Sequence, residues 1–152
     1  MKYIACLLVL MSLVFLSGCT KSDGNVYVTG TVLLDDLPLA EAQVVFSPVN
    51  DSAGEGATGR TDEQGNFVLT TTTGKDGSGT KPGKYNVAVT KKNVEHTGRM
   101  IVRDGQDPVE DVIITDALPR VYGSPMTSPL PETIVSSNKD ENVFKFELKS
   151  NP

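Results

Sequence analysis

Asp62-Glu63-Gln64-Gly65-Asn66, followed by Phe67-Val68-Leu69-Thr70-Thr71, carries a turn and a strand side by side. The Asp62 carboxylate is placed to cap a tight turn, and Gly65 supplies a left-handed backbone angle that side chains resist. Beyond the turn, Phe67, Leu69 and Thr71 recur at every second position. That is the period of a strand with one face buried.

The same period continues outward in both directions. Upstream, Val26, Val28, Gly30, Val32 and Leu34 share one face, with Tyr27, Thr29, Thr31 and Leu33 on the other. Ala42, Val44 and Phe46 alternate with Gln43, Val45 and Ser47 until Pro48 stops the strand. Downstream, Tyr85, Val87 and Val89 form one set, and Phe144, Phe146 and Leu148 alternate with Lys145, Glu147 and Lys149. Thr133–Val135 reads as a short strand. Pro108–Ile114 reads as another, with no assignable inward face. Residues 92–107 read as a polar connection holding a short strand at Met100–Val102.

Eight of the 14 glycines fall between Gly54 and Gly83, so the chain must turn tightly several times there. Residues 116–131 hold Pro119, Pro125, Pro129 and Pro131 and are expected to form an extended strap. No helical stripe of useful length is present. The expected fold is all-β, a sandwich of about seven strands.

Four segments, in order, resemble a carboxypeptidase-regulatory-like domain, a transthyretin-like (prealbumin-like) sandwich. They are Val28-Thr29-Gly30-Thr31-Val32, Leu37 to Phe46, Gly59 to Phe67, and Pro82-Gly83-Lys84-Tyr85-Asn86-Val87-Ala88-Val89. Here Asp62, Gly65 and Gly83 are fold-forming residues of turns, which say little about activity. Further on, Leu118-Pro119-Arg120-Val121-Tyr122, Ser128-Pro129-Leu130 and Phe144 to Leu148 resemble the closing half of small envelope lipoproteins of planctomycete-type bacteria.

The N-terminal segment agrees with that likeness. Met1-Lys2-Tyr3 is a short positive start, and Ile4–Leu16 is an almost unbroken apolar run of 13 residues. That is shorter than the roughly 17–25 residues needed to span a bilayer as a helix, and it matches the apolar region of a secretory leader. The run ends in Leu16-Ser17-Gly18-Cys19, which resembles the lipobox of bacterial lipoproteins. The resemblance implies cleavage between Gly18 and Cys19, removal of residues 1–18, and a diacylglyceryl group on the Cys19 sulfur. Each buried CH₂ contributes about 0.8 kcal/mol, so two or three chains anchor where one would not. Residues 19–25 form the lipidated cysteine and a polar tether, and residues 26–152 a single domain. Six flexible residues reach about 12–15 Å, which keeps the domain near its membrane. Thr20 stands where the inner-membrane retention signal of enterobacteria places an aspartate, which favours the outer membrane of the cell envelope.

The chain has 14 basic and 19 acidic residues and a pI near 4.8, so no nucleic-acid partner is expected. Cys6 would leave with the leader and Cys19 would be capped, so no disulfide is expected. No metal or cofactor site is read. The Asp62–Asn66 turn lacks the alternating carboxylates and distal glutamate of an EF-hand. His96 is the only histidine and has no cysteine or second histidine to share a zinc ion with. The pairs Asp35/Asp36 and Asp104/Asp107 read as solvated turn residues rather than an acid–base couple.

No catalytic residues are assigned. Hydroxyisourate hydrolases of the transthyretin-like fold use two histidines and a C-terminal Tyr-Arg-Gly-Ser. This chain offers one histidine and Tyr122-Gly123-Ser124 without the arginine, which leaves transthyretin-like hydrolysis as a remote reading. The expectation is a non-enzymatic accessory or interaction module, with contacts from residues 50–58, 72–82 and 92–107. Its partner would be an envelope protein or glycan. The alternative is carbohydrate or small-ligand binding, for which Tyr27 and Tyr122 are the available aromatic platforms.

Overall fold

The computed structural model describes residues 24–49 and 55–152. The leader, Gly18, Cys19 and most of the expected tether lie outside the described residues. Eleven strand segments follow in order: β1 (Thr29–Leu34), β2 (Leu37–Pro38), β3 (Gln43–Pro48), β4 (Ala57–Arg60), β5 (Asn66–Val68), β6 (Thr70–Thr71), β7 (Gly83–Thr90), β8 (Lys92–Ile101), β9 (Val109–Asp116), β10 (Thr133–Val135) and β11 (Val143–Leu148). The fold is all-β, and among the described residues two short 3₁₀ turns stand at Arg120–Gly123 and Lys139–Glu141.

One sheet is built around β1. It pairs in parallel with β11 on one side, and antiparallel with β2 and β5 on the other. Asp35 and Asp36 form the two-residue turn into β2, both at positive φ (49° and 69°), a twist that suits a hairpin. The second sheet is antiparallel throughout, in the order β10-β7-β3-β4-β6.

The run Phe67-Leu69-Thr71 is buried at all three positions, as its period predicts. It nevertheless divides between the two sheets. β5 pairs with β1, Leu69 donates its N–H to Val28 O at 3.0 Å, and β6 then pairs with β4. One sequence strand thus turns a corner of the sandwich, which is part of why eleven segments stand where about seven are expected.

The core lies between the two sheets. Val28 just before β1, Val32 of β1, Val44 and Phe46 of β3, Val87 and Val89 of β7, and Leu148 of β11 are buried. Phe46 is its hub: its ring centroid lies 6.3 Å from Phe67, 5.9 Å from Tyr85, and 6.0 Å from both Phe144 and Phe146. Tilted and edge contacts of this kind add about 0.5–1.5 kcal/mol per pair beyond the area they bury. Gly30 makes room for them. A methyl group there would lie 2.5 Å from Phe144 O and 2.6 Å from Phe67 Cζ.

Among the described residues the buried polar side chains are paired, as burial demands, except at Asn25 Oδ1. Thr61 Oγ1 accepts the Ala42 N–H at 2.8 Å. The Asn142 side chain takes the Ser136 N–H at 2.8 Å and donates to Ser136 O at 2.9 Å. Buried Tyr85 donates to Lys81 O at 2.8 Å and contacts the Thr80 hydroxyl at 3.1 Å.

Two sequence expectations are corrected. Residues 92–107 are not mainly a connection: Lys92–Ile101 is a ten-residue strand antiparallel to β9. The proline-rich segment is not extended throughout. It carries the 3₁₀ turn at Arg120–Gly123, followed by bonds from the Thr127 and Ser128 N–H groups to Ser124 O at 3.1 and 2.9 Å. Proline's fixed φ suits tight turns as well as extended chain.

Replacing Phe46 by Ala removes the ring shared by both sheets. It is expected to destabilise the fold by about 3–5 kcal/mol, read as a shifted urea midpoint. Tyr85→Phe tests the buried hydroxyl. Burial pushes the Tyr85 phenol above its usual value, outweighing the Thr80 contact. The folded state therefore favours the protonated phenol. Its contribution is complete below about pH 10 and declines as pH rises toward the elevated folded value. Tyr85→Phe is expected to cost about 1–2 kcal/mol at neutral pH through the lost hydrogen bond and to flatten the alkaline decline, as followed by unfolding curves between pH 7 and 11.

Candidate functional site

The acidic turn is a structural device. Asp62 Oδ1 accepts the N–H groups of Gln64 (3.0 Å) and Asn66 (2.8 Å), and Asp62 O accepts that of Gly65 at 3.0 Å. Gly65 sits at φ 78°, and its carbonyl accepts the Val32 N–H at 2.8 Å, tying the turn to β1. With Oδ1 committed to two backbone donors, the carboxylate organises its own loop. Gly83 opens β7 in extended backbone (φ 158°) and pairs with Val135.

The acidic pairs lie apart from one another. Asp35 accepts from Ser150, with the backbone contact at 3.2 Å. Hydrogen bonds from the Ser150 side chain and backbone, with nearby Lys149, draw the Asp35 carboxyl below the usual range. Asp104 and Asp107 occupy the exposed tip between β8 and β9. His96 lies mid-strand in β8, exposed, with Nδ1 at 2.8 Å from Glu110 Oε2 across the ladder. Among the described residues, no three His, Cys, Asp or Glu side chains gather as a metal-binding group.

Tyr122 is not available as a platform. It is 3% exposed, inside the 3₁₀ turn, and its hydroxyl accepts the Lys149 N–H at 3.0 Å. The segment around it has no alternation to reveal that burial. Tyr27 is exposed.

Two surface features have the scale of a contact site. A polar groove of about 620 Å³ runs along the exposed side of the second sheet, past Gln43, Thr58, Arg60, Thr70 and Thr90, and ends at Lys92 and Val94. Among the described residues, no aromatic side chain lines it. Glu41 and Arg60, both exposed, pair along its lining.

The other feature is the arm formed by β8 and β9; the sequence reading gave a strand at Pro108–Ile114 but missed the length of β8 and the pairing of the two. β7 passes through Lys91 directly into β8, so the chain continues past the sandwich as a two-stranded ribbon. Ten residues make it about 33 Å long. β8 pairs with β9 and with no other strand among the described residues. Its ladder slips between His96 and Met100, where Gly98 adopts φ 71°. Thr97 Oγ1 closes the bulge by donating to Asp111 O at 2.8 Å. Cross-strand pairs Lys92–Asp116, His96–Glu110 and Arg99–Asp111 rule the ribbon at intervals. Between them stand exposed apolar side chains, including Val94 (52%), Met100 (59%) and Ile114 (60%).

No protein-family model matches the chain, and no curated protein matches it. Among solved structures, that of a 9R-lipoxygenase from Cyanothece PCC8801 is similar, with 16% identity and a TM-score of 0.34. The similarity covers 86% of this chain and 17% of the lipoxygenase chain. At that score the likeness identifies neither a fold nor an activity.

If Asp62 serves its own turn, Asp62→Ala is expected to cost about 1–3 kcal/mol, because two backbone donors lose a charged acceptor. Asp62→Asn keeps an acceptor oxygen and is expected to cost less. Equal losses in chemical denaturation would contradict that role.

Proposed function

We propose that this chain is a lipid-anchored protein of the bacterial cell envelope, acting as a non-enzymatic accessory or interaction module on a transthyretin-like sandwich. The observation that carries the anchoring is Leu16-Ser17-Gly18-Cys19 directly after the apolar run Ile4–Leu16. Small residues at Ser17 and Gly18 are not needed for packing in a leader, whereas a peptidase and an acyl transferase both need access to the Gly18–Cys19 bond and the thiol.

The transthyretin-like reading is supported by where its four segments fall. They supply β1, then β2 and β3, then β4 with the Asp62 turn and β5, then β7. The interaction reading is supported by the arm, an extended ribbon exposed on both faces. Paired carboxylates lie in exposed turns and His96 is engaged with Glu110 in solvent, which favours a binding role over acid–base chemistry.

A second reading, carbohydrate or small-ligand binding, is favoured by the groove, whose Gln and Thr side chains suit hydroxyl groups. It lacks the aromatic face on which sugars usually stack. Binding on a glycan array that Thr58→Val or Gln43→Ala abolishes would establish it.

The anchoring has a direct chemical signature. Mass spectrometry of the protein from its native membrane is expected to give an N-terminal peptide beginning at Cys19 and carrying diacylglyceryl. An unmodified thiol at residue 19, or a chain still beginning at Met1, would overturn the proposal.

A further inference from the structure

The arm is an unusual object for a protein surface. An isolated two-stranded ribbon is at best marginally stable in water, and among the described residues no other strand pairs with either long edge of this one. Val94, Met100, Val112 and Ile114 share one face, since Val94 stands opposite Ile114 and residues two apart on β9 point the same way. Ile101, Val109 and Ile113 share the other. Surface strands usually protect such edges with charges of one sign, which repel their own kind.

Here the two strands differ in sign. β8 and its flanks hold Lys91, Lys92, Arg99 and Arg103 against a single acid, Glu95. β9 holds Glu110, Asp111 and Asp116 and no base, with Asp107 just before it. Within one arm that difference already draws Lys92 to Asp116. Hydrogen bonding and charge from Lys92, with a smaller effect of Arg120, hold the Asp116 carboxyl below its usual range.

The arm also has a direction. Val26, where the described chain enters the sandwich, pairs with Thr80, which contacts Tyr85 near the start of β7. β7 then runs eight residues to Thr90, and the arm leaves from that far end. From Tyr85 to Thr90 is five residues, about 17 Å, so entry point and arm base lie toward opposite ends of the sandwich. For a chain anchored through Cys19 the arm points away from the membrane, and every copy on that membrane presents it in the same sense. This directional argument rests on the anchoring proposed above.

We infer that the arm pairs with a second copy of this chain: the acidic β9 edge of one copy lies against the basic β8 edge of its neighbour. β8 and β9 run in opposite senses, so two arms pointing the same way bring β9 and the neighbouring β8 together antiparallel. The row opposition of Lys92 to Asp116 is then repeated between copies. The contact is head-to-tail and leaves a free β8 edge at one end and a free β9 edge at the other, so it extends into a row. Confinement to one surface raises the effective concentration for it.

Two full-length variants with different tags, Lys92→Cys and Asp116→Cys, are co-expressed in cells and mildly oxidised. The expected product is a mixed disulfide between the two variants, with little dimer from either alone. For an Asn93→Cys and Thr115→Cys pair, Lys92→Glu is expected to lower the mixed product several-fold. Adding Asp116→Lys on the same chain is expected to restore it, with unchanged circular dichroism melting showing that the fold is intact. No mixed disulfide, only 92–92 and 116–116 products, or adducts solely with other proteins would overturn self-pairing. The two proposals fail separately: a lipidated Cys19 without the mixed disulfide sinks the pairing alone, and an unlipidated residue 19 with the mixed disulfide sinks the anchoring alone.

Discussion

Two sheets with apolar inner faces must be held at one separation, and in this protein a single ring from β3 spans the gap. Phe46 reaches Phe67, Phe144 and Phe146 of the opposite sheet and Tyr85 of its own. Everything else in the sandwich is arranged around that contact. β3 must be an inner strand, flanked by β7 and β4, for Phe46 to face the centre. β11 must return alongside β1 so that Phe144 and Phe146 reach the same ring. Gly30 must lack a side chain so that Phe67 can lie against β1. A domain of this size is stable by only about 5–15 kcal/mol, so a hub of several aromatic contacts is a large share of the total.

The body of the sandwich was legible because water lies on only one side of it. Val28 and Val32, Ala42, Val44 and Phe46, Tyr85, Val87 and Val89, and Phe146 and Leu148 announce themselves by period two and are all buried. The Asp62–Gly65 turn was legible through its special residues. The arm was not, for the same physical reason in reverse. A ribbon wet on both faces has no hydrophobic alternation, so residues 92–107 read as a polar connection with a short strand at Met100–Val102, and Pro108–Ile114 as a strand without an inside. Tyr122 was misplaced because its burial comes from a 3₁₀ turn and a bond to Lys149 N–H, 27 positions away. Nothing in a local window signals such a contact. The division of Phe67–Thr71 between two sheets was likewise hidden, since both halves bury the same face.

The surface chemistry has a simple logic. Asp62 spends a carboxylate oxygen on its own loop, and Asp35, one of the paired acids, bonds Ser150 near the C-terminus. The histidine is spent on a cross-strand hydrogen bond with Glu110. What remains uncommitted is shape and pattern: a polar groove on one sheet, and a ribbon whose two edges differ in charge. On the proposed anchoring, the sandwich acts as a rigid spacer that fixes which way the ribbon points, and the short tether limits how far it stands from the lipid.

The central claim is that one core holds the sandwich while the arm lies outside it. Hydrogen–deuterium exchange at low protein concentration, resolved by segment, tests this most directly. The account predicts that amides of β1, β3 and β7 exchange only through global unfolding, while those of β8 and β9 beyond Lys92 exchange orders of magnitude faster through local opening. Equal protection of arm and core in the isolated monomer would contradict it.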